Sequence, residues 1–260
     1  IGGTFWQTAV TTDRPLIDPE ARLRTLCHAV PGRWMPEGIG FYIGFAMRWF
    51  RDAFCEHEKR VALEQGLDPY YALEKMAEQA AVGSNGILAI FSDLMNAKRW
   101  KHASPSFMQF DILSPGTSGK KECYRALEES AAYVSYGHYQ MLSELTGAPA
   151  ESIVFGGGGS KGFLWPQILS DVYGLPVRVP VVKESTSLGA GLWAATAIGL
   201  WQSIEEATRE VVRWEKTFEP NVDHHRTYQS IFRTWREVYT RSLQMVDDGL
   251  LRSMWAAPGT

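Results

Sequence analysis

The stretch IVFGGGGSKGFLWPQIL, residues 153–169, sets four consecutive glycines, Gly156–Gly159, between a short β-branched run and an apolar, helix-like segment. Glycine loses more conformational freedom on folding than any other residue, so four in a row need a reason. Between a strand and a helix, such a loop lets backbone N–H groups approach a phosphate, and the helix N-terminus favours the negative charge. The Walker pattern G-x-x-x-x-G-K-[ST] is not met, because Lys161 follows Ser160 and precedes Gly162. The dinucleotide pattern G-x-G-x-x-G is met by Gly157, Gly159 and Gly162, with Glu184 about 20 residues further on. A dinucleotide domain also needs later strand–helix units, and beyond Gly199 the sequence shows no convincing strand. A close-packed turn without a ligand is the plain alternative.

Other reactive groups are scattered. The six histidines have no metal-ligand spacing, and His224–His225 beside Asp223 reads as a solvated helix start. His102 draws attention only through the unusual segment that holds it. Cys27, Cys55 and Cys123 are widely spaced and odd in number, which argues against a disulfide framework or zinc site and fits a reducing cytoplasm. With a formal net charge of −3 and both signs interspersed, the chain has no electrostatic footprint for nucleic acid or an anionic membrane. Leu188–Trp201 is the longest uncharged apolar stretch; it is too short for a bilayer and reads as a buried helix.

The elements that must position the glycine loop can be read from pattern. At 260 residues and 45% hydrophobic, the chain can bury a core as one large α/β domain or two small ones. Thr4–Val10 reads as a strand, followed by a polar, proline-containing stretch to about Gly40. Phe41–Cys55 reads as a helix, and Asp68 with Pro69 marks the start of another. GSNG at 83–86 is a turn before the short buried strand Ile87–Phe91, and Ser106–Leu113 is a further strand. Lys120–Leu145 is a long helix stopped by Gly147. Strand Ser152–Phe155, the loop, a helix to Tyr173, strand Val177–Val182 and helix Ser187–Gly199 follow. Tyr228, Phe232, Trp235 and Tyr239 then form the core stripe of a C-terminal helix.

The order of parts in GGGGSKGFLWPQILSDVYGLPVRVPVVKESTSLGAGLWAA is glycine run, helix, short strand, E-[ST]-[ST]-x-L-G-A and a small-residue helix. It resembles the second signature region of the FGGY carbohydrate kinases. GTFWQ at the start resembles that family's glycine–hydroxyl phosphate turn, carried by Gly2, Gly3 and Thr4, and GFAMRWFRD resembles its G-x-x-x-[polar]-W-L-R-D helix, with Gly44 and Arg48 at the nucleotide-facing positions. The matching loop positions are Gly157, Gly158 and Gly162, the last often Asn in relatives.

The resemblance implies an α/β fold of the actin-like ATPase, ribonuclease-H-like kind, a mixed sheet flanked by helices. It also implies that residues 1–260 are the ATP-binding, C-terminal half of a kinase. The general-base aspartate and most magnesium carboxylates of such enzymes belong to an N-terminal domain, so this chain should hold no catalytic residue and no metal ligand. ATP and Mg2+ are the implied cofactors. A small polyol-like substrate, the chain's own N-terminal domain and a regulatory protein are the implied partners. The segment Gly86–Phe107 departs from the LPYLxGERxP-like pattern of the family's sugar kinases, which points toward a branch acting on a linear five-carbon compound. In this frame Glu184 either buttresses the loop or caps a helix, and Ser187 and Gly189 serve close helix–strand packing.

Overall fold

The chain's first strand, β1 (Trp6–Ala9), lies along β3 (Trp34–Gly40), which also carries β2 (Arg24–Cys27) on its other side. Both pairings are antiparallel, with Trp6 opposite Gly40 and Cys27 opposite Trp34. These assignments come from a computed structural model that describes residues 1–91 and 101–255. Three helices follow: α1 (Ile43–Phe54), α2 (Glu56–Glu64) and α3 (Pro69–Ala77). Asp68 begins α3 by accepting a 2.8 Å hydrogen bond from the Tyr70 N–H, with Pro69 in the first turn. A small antiparallel pair, β4 (Leu88–Ile90) and β5 (Ser106–Met108), comes next. Part of the departing segment, residues 92–100, lies outside the described residues.

The core is organised around α4 (Lys120–Thr146), whose residues are buried over most of its length. Gly147 ends it in the left-handed conformation, φ 70°. Inside the core, Arg125 donates to Glu129 at 2.9 Å and to the Tyr228 hydroxyl at 2.9 Å. Glu129 in turn accepts from the Gly83 N–H and the Ser84 hydroxyl, which pins the GSNG turn onto α4. Every charge in this group has a partner, as burial requires.

Beyond α4, β6 (Ile153–Val154) and β7 (Val177–Pro180) run parallel and are joined through α5 (Leu164–Tyr173). Then come α6 (Ser185–Ala197), α7 (Ile204–Val211), β8 (Trp214–Phe218) and α8 (Val222–Asp247). The aromatic stripe of α8 is buried, with Trp235 donating its indole N–H to the Ala89 carbonyl at 2.9 Å.

Four sequence expectations need correction. The stretch before Gly40 contains two strands, β2 and β3, and the second is central to its sheet. Pro36, Gly38 and Gly40 disguise it. Pro36 faces Val10, from which its carbonyl accepts at 3.1 Å; its missing N–H forfeits only the return bond, and the ladder resumes at Thr12 and Trp34. Side chains at Gly38 and Gly40 would overlap His138 and Ile43. A strand also exists beyond Gly199: β8 pairs antiparallel with β7, but four of its five residues are exposed, so no apolar pattern announces it. The strand read over Ser106–Leu113 covers only Ser106–Met108. Finally, α6 is not a buried helix; only Leu192 is buried among its residues.

His138 sits under Gly38 with its ring wholly enclosed, and burial lowers its pKa from 6.5 to about 3. A histidine whose folded pKa is depressed gives stability that is present above its unfolded pKa and is lost as pH falls below it. The protein is therefore expected to lose stability between about pH 6.5 and pH 3, and His138→Leu should flatten that part of a urea-midpoint profile. An unchanged profile in the variant would clear His138 of the effect.

Candidate functional site

Gly2 holds the two halves of the site together. Its N–H donates to the Gly156 carbonyl at 2.9 Å, and its own carbonyl accepts from the Gly159 N–H at 3.0 Å. A side chain at Gly157, where φ is +92°, would come within 2.7 Å of the Gly2 carbonyl oxygen. On the other side, a methyl group at Gly44 would overlap the Gly3 carbonyl, so α1 touches the Gly2–Thr4 turn backbone to backbone. Gly156 is pressed against Ser185 of α6, whose Oγ lies 2.6 Å from a side-chain position there. Beneath them, Trp6 stacks on Phe155 at 5.2 Å and meets Trp165 edge-on at 4.7 Å. Residues separated by more than a hundred positions in the chain thus share one backbone-lined corner.

What this corner offers is N–H groups. Gly157, Gly159 and Ser160 spend theirs on the bonds that knit the loop, to Lys183, Gly2 and Gly157. The amides of Gly158 and Thr4 take no part in that knitting, and both residues are exposed. Two exposed donors on glycine-lined backbone suit an anionic oxygen. Arg48 lies one turn beyond Gly44 on α1, also exposed, with Asp52 only at 4.0 Å. Asp52 is held instead by Arg51 and Lys59, which push its carboxyl well below the usual range.

The helix end that the sequence offered to a phosphate is already taken. Glu74, buried on α3, accepts from the N–H groups of Phe163 at 2.7 Å and Leu164 at 3.1 Å, at the start of α5. A side chain at Gly162 would overlap the Glu74 carboxylate. The glycine at 162 is explained from behind, by the acid that caps α5. Sequence reasoning missed Glu74; the available signal was a charged residue on the same helical face as Tyr70 and Ala77. Burial raises its pKa, against the pull of the backbone N–H groups.

Lys161 and Glu184 pair across the loop at 3.7 Å, both largely exposed, and Glu184 makes no side-chain cap to α6. Gly189 has open space where a side chain would go and Ser187 is exposed, so neither packs closely. His224 meets the Asp171 carboxylate at 2.9 Å and His225 the Asp171 carbonyl at 2.9 Å, so these partly exposed rings at the helix start also tie α8 to α5. His102 is buried, its N–H on Ser253 Oγ and its ring 5.2 Å from Phe41. Among the described residues, no three His, Cys, Asp or Glu side chains converge on a possible ion, and no helix is long and apolar enough to cross a membrane.

Residues 2–198 match the model of the C-terminal domain of the FGGY family of carbohydrate kinases. The chain belongs to that family. Curated relatives agree: it is 46% identical over 259 residues to an autoinducer-2 kinase of Yersinia enterocolitica, and 47% identical to one of Klebsiella pneumoniae. Both alignments cover 100% of this chain but 49% and 48% of the relative, so the chain spans about half the length of the curated relatives it matches. Among solved structures, xylulose kinase from Rhodospirillum rubrum superposes with a TM-score of 0.73 at 24% identity, over 92% of this chain and 46% of that one. Plasmodium falciparum glycerol kinase with ADP gives 0.74 at 20% identity, over 93% and 46%.

As an FGGY chain, the protein has the actin-like ATPase fold, and β6–α5–β7 is its glycine-loop unit. The dinucleotide reading loses its ground here. The Gly157–Gly162 fingerprint is served by Gly2 and Gly44 from the distant N-terminal segment, a convergence that a local βαβ unit does not need.

Proposed function

We propose that this chain is the ATP-binding half of a carbohydrate kinase whose intact form phosphorylates autoinducer-2, in its linear dihydroxypentanedione form, at a primary hydroxyl. The observation that carries the nucleotide assignment is the corner built by Gly2–Thr4, Gly44 and Gly156–Gly159, with the Thr4 and Gly158 amides left over. The substrate assignment rests on relatives at 46% and 47% identity that carry the name autoinducer-2 kinase.

In this reading Thr4 and Gly158 donate to the terminal phosphates of ATP, and Gly3, Gly44 and Gly157 keep side chains out of the way. Arg48 balances phosphate charge or lies beside the base, both of which suit a guanidinium. Gly162 acts indirectly, by admitting the Glu74 carboxylate that fixes the start of α5. Phosphoryl transfer depends chiefly on positioning and charge stabilisation. This half would hold the donor, and an N-terminal half would bring the hydroxyl, the base that takes its proton and the carboxylates for Mg2+, with closure completing the site. The corner suits ATP's phosphates. The described residues supply no carboxylate cluster for the metal. A cytoplasmic setting accords with three free cysteines.

The deciding experiment compares the full-length enzyme on 4,5-dihydroxypentane-2,3-dione and on xylulose in a coupled ADP-release assay. The expected result is a kcat/KM at least about tenfold higher for the former, a difference worth about 1.4 kcal/mol of transition-state binding. A preference for the pentulose would replace the substrate and keep the kinase. Turnover by residues 1–260 alone would overturn the division of labour between halves.

A further inference from the structure

Past its last turn, α8 sends the chain back toward the glycine corner. Gly249 takes the left-handed conformation, φ 75°. Its N–H donates to the Val246 carbonyl at 3.1 Å, and the Leu250 N–H donates to the Met245 carbonyl at 2.9 Å. This pair of bonds around a left-handed glycine stops the helix and reverses the chain. The residues that follow lie against the short segment ahead of β5. Asp247 pairs with Lys101 at 3.6 Å, and Ser253 Oγ accepts from the His102 N–H at 3.0 Å. From α8 itself, the Tyr239 hydroxyl accepts from the Ala103 N–H at 3.0 Å. Anchored in this way, Trp255 sets its ring 5.5 Å from that of Phe41 and 6.1 Å from that of His102.

Phe41 occupies the joint between β3 and α1. Its ring also meets Phe5 edge-on at 5.4 Å, and Phe5 directly follows Thr4. The next residue, Tyr42, lies in the left-handed region at φ 56°, a strained conformation that persists only when the surroundings hold it. The rings of Phe5, Phe41 and Phe45 lie 5.9, 6.2 and 5.6 Å from its own. Tyr42 also starts α1, its carbonyl accepting from the Ala46 N–H at 2.8 Å. Two residues on, Gly44 has no room for a methyl group beside the Gly3 carbonyl and the Thr4 Cα, so the entry of α1 fixes where the Gly2–Thr4 turn can lie. The aim of the Thr4 amide therefore depends on a strained joint held by rings.

We infer that Trp255 is a positioning residue for the nucleotide corner: it braces Phe41, and through Phe41 and Phe5 it holds the Tyr42 joint and the Thr4 amide in the geometry that receives a phosphate. It acts through those rings and not by touching the nucleotide. Aromatic pairs favour tilted and edge-on arrangements at these separations, and the Phe41 contacts with Trp255, His102 and Phe5, at 31°, 56° and 87°, fit that preference. A second ring at position 255 should serve; an aliphatic side chain should not. The role in binding ATP rests on the nucleotide reading of the corner, whereas the brace itself does not.

The test uses the full-length enzyme carrying Trp255→Ala. Loss of the ring contacts corresponds to about a threefold to tenfold change in a local equilibrium. The Ala46 amide should exchange faster by that factor. The dissociation constant for ATP by calorimetry and the KM for ATP should rise by the same factor, with kcat and the KM for the hydroxyl substrate unchanged. Trp255→Phe should restore all of these, and Leu250→Ala, at an exposed position in the reversal, should alter none. Trp255→Leu keeps bulk without the ring and is read in the same way, so misfolding of the alanine variant does not decide the matter. A lower kcat with an unchanged KM for ATP would make the role merely structural and overturn the inference. Unchanged ATP affinity in a folded variant overturns it as well, whether or not Ala46 exchanges faster. An unsubstituted enzyme that binds no ATP would overturn the nucleotide reading and this role with it, a failure distinct from a variant that binds ATP as the unsubstituted enzyme does.

Discussion

Gly158→Val in the full-length enzyme is expected to leave the fold intact and to abolish measurable ATP binding. The two effects separate at this residue because of where its missing side chain would point. Nothing lies within 4 Å of that position, the residue is exposed, and its φ is not in the left-handed region. Its neighbours differ. Gly157 has φ +92° and faces the Gly2 carbonyl, and Gly44 faces that of Gly3, so substitutions there would pry the corner apart and confuse folding with binding. At Gly158 a branched side chain stands only where an incoming phosphate would approach the amide. We expect a loss of at least about 100-fold in ATP affinity by titration calorimetry, equivalent to about 2.7 kcal/mol, with an unchanged melting temperature. Unchanged affinity in the folded variant would make the loop a structural turn and remove the nucleotide assignment.

The glycine corner was legible in the sequence because its parts are backbone. Glycines needed for close approach cannot be replaced silently, so Gly2, Gly44 and Gly157 stand out by type, and the family resemblance says which of them meet. Elements with a strong local signal were equally readable: α3 from Asp68–Pro69, α4 from its length and Gly147, α8 from its aromatic stripe. The failures have the opposite cause. β3 carries Gly38 and Gly40 because His138 of α4 and Ile43 of α1 press against it, so tertiary packing erased the local pattern of a central strand. β8 is an exposed edge whose polar residues carry no periodicity. In α6 the composition suggested burial, yet the helix leaves most of its surface open here. Glu74 could not be placed because its partners, the N–H groups of Phe163 and Leu164, are backbone atoms about ninety residues away.

That acid has a second one nearby, and the pair carries the other large effect. Glu128 on α4 is wholly buried, and neither carboxyl oxygen has a hydrogen-bond partner among the described residues. Burial foremost, then the charge of Glu74, pushes its pKa well above 4.5, while Arg125 pulls the other way but is committed to Glu129, Tyr228 and the Ala80 carbonyl. For an acid whose folded pKa is raised, the sign follows from proton counting. Below pH 4.5 both states hold the proton and nothing is lost; as pH climbs toward the folded pKa, only the unfolded state releases it. Stability therefore falls with rising pH across that window, at up to about 1.4 kcal/mol per pH unit for one such group. Glu74, also raised, adds to the same trend. Glu128→Leu replaces an unpartnered buried acid by an apolar side chain of similar size. It is expected to raise stability at pH 7 by about 1–3 kcal/mol and to reduce the pH slope without removing it, since Glu74 remains. Urea midpoints of the two proteins from pH 4.5 to pH 8 provide the check. If the leucine variant is less stable at pH 7, the Glu128 carboxyl must be holding something in place, with the Glu74 cap on α5 the first contact to re-examine.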